Sequence, residues 1–417
     1  MATLFNITRA KQCMRDLSLD GLIATSPVNV QYFSGYSCWI DSLFKEYMMR
    51  PGASSNLAQP SCALFPSEGE PALIVKSLMA VNALDSEIGD LRVYGDPGVD
   101  YSLLSEPATA SDERYLRLLR DAPRCATAMD ALVACLRDRR LEDATLGIEM
   151  DGLPDEVKTG LARALPQARF RDCTNLIRYI RAVKTPEELS VLARAAEIAE
   201  QAAMESLAMA RAGGCARDLV QQFQVRLIEQ GAAFDHFSFT LNGLGIGKDH
   251  GAPFRTTDVI YVDFGCVLSS YFSDSGTTLS FSELPPAMAK RYTALQACVA
   301  AGARAMRPGV KASFIQKSMA QVLKDSGIAD AFPHGHGLGM ELRDYPILVP
   351  ATGLRLQDEC IDLDSDLPME EGMVNNLEAP LFLPMAGGLH LEKSFVITAD
   401  GNRELCRQQR DHPYLAA

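Results

Sequence analysis

Four carboxylates and one imidazole, spread through the second half of the chain, constrain it more than any other feature. They are Asp263 in YVDFGC, Asp274 in YFSDSGTT, His336 in HGHGLGM, Glu378 in NNLEAP and Glu392 in GLHLEKSF, each in or beside a strand-like or glycine-rich run. Hard divalent cations prefer carboxylate oxygens, and this mixture suits Mn, Fe, Co or Zn better than a thiolate site would. Brought together without a cation, four carboxylates repel and raise one another's pKa, so a bound metal is the simplest way to keep them ionised. So many anionic donors suit one or two ions, and a two-ion site can activate a bridging water and polarise a scissile carbonyl. Each residue alone has a plainer explanation. An Asp at a strand end is usually a turn former or cap, and a His between glycines can simply line a turn. Glu378 and Glu392 alone read as solvent-facing strand residues, yet Leu377, Leu391 and Phe395 around them imply burial, which is costly for an unpaired Glu. The combined set outweighs the single readings, and the rest of the chain reads as scaffold and lid around it.

At 417 residues, 47% of them hydrophobic, the chain is long for one core and predicts two domains. No apolar run approaches the roughly 20 residues that a spanning helix needs. The start, MATLFNITRAKQC, lacks the uninterrupted apolar core of a signal peptide, so the expectation is a cytoplasmic protein with no membrane partner. Eleven cysteines, scattered and with no CxxC pair, fit reduced, mostly buried thiols and exclude a zinc ribbon. A net charge of -13 with no compensating Lys/Arg cluster argues against a nucleic-acid partner.

Taken in order, Ala10 to Leu17 has helical spacing, and Gly21 to Ala24 reads as a short buried strand closed by Ser26-Pro27. Cys62 to Phe65 and Ala72 to Val75 flank the turn Ser67-Glu68-Gly69-Glu70 as a hairpin. The polar, glycine- and proline-containing stretch Asp41 to Pro60, with the only tryptophan, Trp39, at its entrance, reads either as a solvated loop or as a lid over an active site. Strands and helices alternate to about Phe170, which predicts an α/β domain. Thr185-Pro186-Glu187-Glu188 is a capping box with Pro at the first helical position, opening a helix that Gly213-Gly214 is expected to end. The domain boundary is placed just before it, giving residues 1-175 and 176-417. After Gln230 the chain is strand-rich, interrupted by helices at Pro286 to Met306 and Ala312 to Lys324. Asp263 and Asp274 fall on neighbouring strands if Cys266 to Ser270 forms the turn between them.

The series of Asp, eleven positions to Asp, His in HGLG, Glu in MVxxLE and Glu in GLxLE resembles the creatinase, prolidase and methionine aminopeptidase family of "pita-bread" proteins. Leu176-Ile177-Arg178 with Lys184 to Glu188 resembles the opening of that family's catalytic domain, and LDGLIATSPVNVQYFSGY resembles the strand and turn of its N-terminal domain. The resemblance therefore implies an α/β (α+β) architecture: a creatinase-like N-terminal α/β domain followed by a pita-bread catalytic domain. It implies that Asp263 chelates one ion, that Asp274 and Glu392 bridge two, and that His336 and Glu378 complete the other. Glu378 would also move protons to and from the water. His250, seven positions after Gly243, would hydrogen-bond the substrate, and Thr278 would orient a ligand from behind. Members often pair as homodimers, so the Trp39 to Arg50 segment is expected to approach a metal site.

Several positions depart from the peptidase pattern. Arg343 stands where a second histidine follows the metal histidine by seven positions, and it can grip a carboxylate but not shuttle a proton near neutral pH. It either binds an anionic group of the substrate or pairs with Glu341 or Asp344. Ala379 replaces the usual proline, His390 stands where the peptidases often have Arg, and Thr277 replaces the arginine before Thr278. The leading expectation is a metallohydrolase resembling Xaa-Pro dipeptidase or aminopeptidase, cleaving an amide (C-N) bond in a small-molecule or short-peptide substrate. The alternatives are a creatinase-like hydrolase or dimethylsulfoniopropionate-lyase-like enzyme, and a non-catalytic binding module.

Overall fold

The structure is a computed structural model that describes residues 4–38, 61–84, 86, 88–107, 109–123, 125–151, 153–248, 251–328, 330–406 and 412–416. It forms two compact units: Met1–Ile180 with Leu356–Asp362, and Arg181–Arg355 with Leu363–Ala417. Among the described residues no helix is long and apolar enough to cross a membrane. All eleven cysteines are free.

In the first unit the sheet order is Asp90–Tyr94, Ala72–Lys76, Cys62–Pro66, Gly21–Ala24, Thr145–Ile148 and Arg169–Asp172. Cys62–Pro66 and Ala72–Lys76 form the expected antiparallel hairpin, and Gly21–Ala24 runs parallel to Thr145–Ile148. Ile23, Leu64, Ile74 and Ile148 pack against Leu132 and Leu136 of the Ala128–Asp138 helix. SPVNVQYFSGY is a helix, Pro27–Ser34, where a turn is expected. Ser26 caps it from the side chain, Pro27 supplies the fixed φ of the first turn, and Gly35 at φ 69 ends it.

The second unit is built on a larger antiparallel sheet. Its strand order is Asp344–Leu348, Gly335–Gly337, Val374–Glu378, Glu392–Ile397, Ser275–Ser280, Val259–Leu268, Ala233–Thr240 and Gly247–Lys248. Two helix pairs supply separate apolar clusters. Ala199, Ala203 and Phe223 pack with Phe237, Val262 and Phe264, while Leu295, Val299 and Met319 pack with Leu377, Leu389 and Phe395. Strand side chains alternate between faces, so placing Val262 and Phe264 in the core turns Tyr261 and Asp263 the other way. The same alternation turns Asn376 and Glu378 away from Leu377, and Glu392 away from Phe395.

Thr185 and Glu188 make the expected reciprocal capping box at Pro186–Leu207. The helix ends six residues before Gly213. Met209 and Ala210 tighten into turns on Ser206 and Leu207, Ala210 is buried, and Gly213 and Gly214 instead exchange main-chain bonds with Phe254. The hairpin turn joining the two aspartate strands is also tighter than Cys266 to Ser270. The strand runs to Leu268, and Ser269 and Ser270, with φ 49 and 69, make a two-residue turn whose left-handed backbone matches strand twist. GLHLEKSFVIT is two strands, Gly387–Leu389 and Glu392–Ile397, with His390 at the break.

Candidate metal centre

Strand register sets the site. Glu378 lies opposite Glu392, Glu392 opposite Gly276, and Gly276 opposite Asp263, so three carboxylates share one row across four adjacent strands. Asp274 enters two residues before Gly276, and an isolated bridge places His334 opposite Glu378. Glycine in the middle of the row is required by space: a Cβ on Gly276 would lie 2.2 Å from the His390 ring and 3.1 Å from Glu392 Oε2.

All five sequence-identified ligand candidates are drawn into this cluster. His336 Nε2 lies 3.3 Å from Asp274 Oδ2 and 3.9 Å from Glu378 Oε1. Asn376 ties the group together. Its side-chain Nδ2 donates to Glu392 Oε1 at 2.6 Å and lies 3.4 Å from Asp274 Oδ2, and its Oδ1 accepts from the His336 main chain at 2.6 Å. His236 Nε2 stands 3.0 Å from Asp263 Oδ1 and 3.4 Å from Asp274 Oδ1. Tyr261 donates its hydroxyl to Asp263 Oδ2 at 3.0 Å.

Other expected site residues are placed as follows. Thr278 is fully buried, and its hydroxyl exchanges hydrogen bonds with the main chain of His390, at 3.0 and 2.8 Å. His390 is buried, stacked on Tyr261 at 4.1 Å, with Nε2 3.6 Å from Glu392 Oε2. Arg343 is exposed, and its charge acts on His334. Glu341 and Asp344 are engaged by Arg181, at 2.6 and 3.2 Å, so the pairing open to Arg343 from sequence is taken by another arginine. Trp39 and the segment to Arg50, the Asp41 to Pro60 stretch and His250 lie outside the described residues.

His236, His334, Asn376 and Tyr261 were not singled out in the sequence. A signal existed for two of them. The alternation that buries Phe237 and Phe239 in FDHFSF turns His236 to the opposite face, and His334 sits two residues from His336 on the same strand-like run.

The electrostatics are those of crowded anions. Burial, followed by the charges of Asp274, Glu378 and Asp263, raises Glu392 well above the ordinary carboxylate range. Burial also acts on Asp274, but hydrogen bonds and charge from His236 and His336 outweigh it and hold the carboxyl at about 2. Burial works against ionisation of Glu378 too, and the His334 imidazole, 2.9 Å away, prevails and lowers it. Burial lowers His236, and its bonds to Asp235, Asp263 and Asp274 carry it far above the ordinary imidazole value. A divalent cation fits this donor set, because it would relieve the repulsion that raises Glu392. Among the described residues, two His/carboxylate groups are close enough to hold one: His236, Asp263 and Asp274, and Glu378, His390 and Glu392.

Comparison with known proteins agrees. Residues 190–399 match the model of metallopeptidase family M24, and residues 6–183 match that of the creatinase/prolidase N-terminal domain. An Xaa-Pro dipeptidase of Lactobacillus helveticus is 23% identical over 416 residues, covering 97% of this chain and 98% of that protein. The fold matches a prolidase from Pyrococcus horikoshii with a TM-score of 0.69 at 20% identity, covering 97% of this chain and 98% of the other. It also matches a dipeptidase from Mycobacterium ulcerans with a TM-score of 0.71 at 20% identity, covering 100% and 99%. The chain belongs to metallopeptidase family M24, with a creatinase/prolidase-type N-terminal domain ahead of the catalytic one. It is a metal-dependent hydrolase of that family, and the comparisons favour peptide-bond hydrolysis over the non-peptide and non-catalytic alternatives.

Proposed function

We propose that this enzyme is an Xaa-Pro dipeptidase, hydrolysing the amide bond before a C-terminal proline with two divalent ions held by Asp263, Asp274, His336, Glu378 and Glu392. The observation that carries this reading is the row of facing carboxylates Glu378, Glu392 and Asp263, closed by Asp274 and His336. Bound there, the ions would supply Lewis-acid polarisation of a carbonyl and a water acidic enough to attack it near neutral pH. The side chains do the rest. Glu378, backed by His334 at 2.9 Å, takes a proton from the attacking water and returns it to the departing proline nitrogen. His250 donates to the substrate near the reacting carbonyl. Arg343 grips the substrate's C-terminal carboxylate through its planar fork. Thr278 fixes the main chain at His390, two residues before Glu392. Catalysis belongs to residues 176-417, and residues 1-175 serve dimerisation and cover the site. The protein works as a cytoplasmic homodimer on Mn, Fe, Co or Zn.

The test is an activity screen of metal-reconstituted protein, setting Xaa-Pro dipeptides against small betaines, guanidino compounds and cyclic amidines. Turnover confined to Xaa-Pro dipeptides supports the reading. Turnover of a non-peptide compound with none of the dipeptides overturns it. Light scattering of the same preparation tests the dimer.

A further inference from the structure

We infer that His236 and His390 are themselves metal ligands, so that three imidazoles rather than one are shared over the two ions. The inference rests on the two-ion reading above and assigns it two nitrogen donors beyond the set expected from sequence. Both rings are anchored in the way ligating imidazoles are, with Nδ1 held and Nε2 presented. Nδ1 of His236 is 2.7 Å from Asp235 Oδ2, and Nδ1 of His390 is 3.1 Å from the Val262 carbonyl. The Nε2 atoms then face carboxylate oxygens at 3.0 and 3.4 Å for His236 and 3.6 Å for His390. Two donors each about 2.1 Å from one ion stand roughly 3.0 Å apart at an octahedral angle and roughly 3.4 Å apart at a tetrahedral one. His236 matches that spacing, and His390 is slightly beyond it.

Two further observations separate these rings from ordinary buried histidines. His390 is fully buried, and among the described residues its Nε2 has no hydrogen-bond partner, although it points at Glu392. Such an orphaned nitrogen is costly unless something occupies the gap. The backbone also makes room for both rings: a Cβ on Gly276 would lie 2.2 Å from His390, and one on Gly265, which pairs with His236 across the sheet, would lie 2.6 Å from the His236 ring. The rival arrangement is a pair of imidazoles that only hydrogen-bond or screen the carboxylates. With the additional nitrogens, the site leans toward Zn, Co, Fe or Ni over Mn, because imidazole suits those ions better than an all-oxygen set does.

The experiment strips the full-length protein with chelator, reloads it with Co(II), counts ions per chain by elemental analysis and counts imidazoles per ion by X-ray absorption. The expected result is imidazole scattering from three rings per chain in the wild type. His236→Gln and His390→Gln should each remove one ring and weaken Co(II) binding by more than about 100-fold, beyond what loss of a merely supporting contact costs. A wild-type count of one ring per chain overturns the inference, as does a ring count unchanged in both variants. The wild-type count stands even if a variant misfolds, and thermal unfolding of the stripped proteins identifies such a variant. The ion count tests the two-ion reading separately: one ion carrying His236 or His390 retains the inference for that residue and overturns the pair, and no uptake of Co(II) overturns both.

Discussion

In the first unit the buried carboxylate of Glu149 accepts main-chain hydrogen bonds from Thr25 and Ser26, at 2.9 and 2.8 Å, and a side-chain bond from Asn29 at 2.7 Å. In the second, the equally buried Glu392 accepts from Asn376 and is pressed from several sides by Asp274, Glu378 and Asp263. Both groups lie at the ends of strands with apolar neighbours. Glu149 faces donors, and its charge locks the start of the Pro27–Ser34 helix. Glu392 faces other acceptors, an arrangement that folding energetics alone disfavours and that a cation would reverse. Burial of an acid therefore does not mark a functional group; the sign of what surrounds it does.

The largest effect should come from Glu392→Gln. Turnover of Xaa-Pro dipeptides is expected to fall by about 10³-fold or more, roughly 4 kcal/mol of barrier. Denaturation of the metal-stripped variant should show equal or greater stability than stripped wild type, because the amide removes a charge from a crowded cluster. Near wild-type turnover with metal loaded would mean that Glu392 is as structural as Glu149.

Glu149→Ala should behave in the opposite way. It leaves two main-chain N–H groups and the Asn29 amide without their acceptor, at a cost of about 3–4 kcal/mol in denaturant unfolding followed through the first unit. Co(II) affinity should be unchanged. Loss of metal without loss of stability would break the contrast.

Glu200 tests the comparison between its extremes. Ser275 donates to its Oε1 at 2.5 Å, while among the described residues its Oε2 has no hydrogen-bond partner. Burial raises its pKa to about 7, with the Ser275 bond and Lys393 pulling against that. Because the folded value lies above the unfolded one, the fold carries no penalty below about pH 4.5. The penalty grows as pH rises toward 7 and is complete above it, reaching about 3 kcal/mol. Glu200→Gln should therefore gain stability over wild type at pH 8 and gain little at pH 4, read from urea midpoints at both. An equal effect at the two pH values would show that the Glu200 carboxyl titrates alike in the folded and unfolded states.

Much of this was legible beforehand, and the limits follow from how the information is stored. The ligand candidates in DFG, SDSG, HGHG, NNLE and HLEK could be picked out because each carries an unusual residue type in a short apolar or glycine-rich run. The capping box at Thr185 was local and therefore readable. The true end of its helix was not, because Gly213 and Gly214 are committed to Phe254, which lies far along the chain. Asn376 was invisible for a similar reason: its importance comes from facing His336, Asp274 and Glu392 at once. Nothing local in SDSGTT sets Gly276 apart, and only the sheet register reveals that the ring of His390 occupies the space its side chain would need.

The smallest expected effect concerns Arg343, which is exposed where the carboxylates are buried. Glu341 and Asp344 are already engaged by Arg181, and Lys184 stands 3.8 Å from Asp344, so the guanidinium of Arg343 is not needed to neutralise either acid. Its charge is felt at His334, the partner of Glu378. Arg343→Lys keeps the charge but loses the planar fork that grips a carboxylate through two parallel bonds. KM for an Xaa-Pro dipeptide should rise about tenfold, roughly 1.4 kcal/mol, with kcat little changed. The same substitution should leave a dipeptide with an amidated C-terminus unaffected. An equal loss on both substrates would assign Arg343 to the support of His334 and Glu378 and withdraw it from substrate binding.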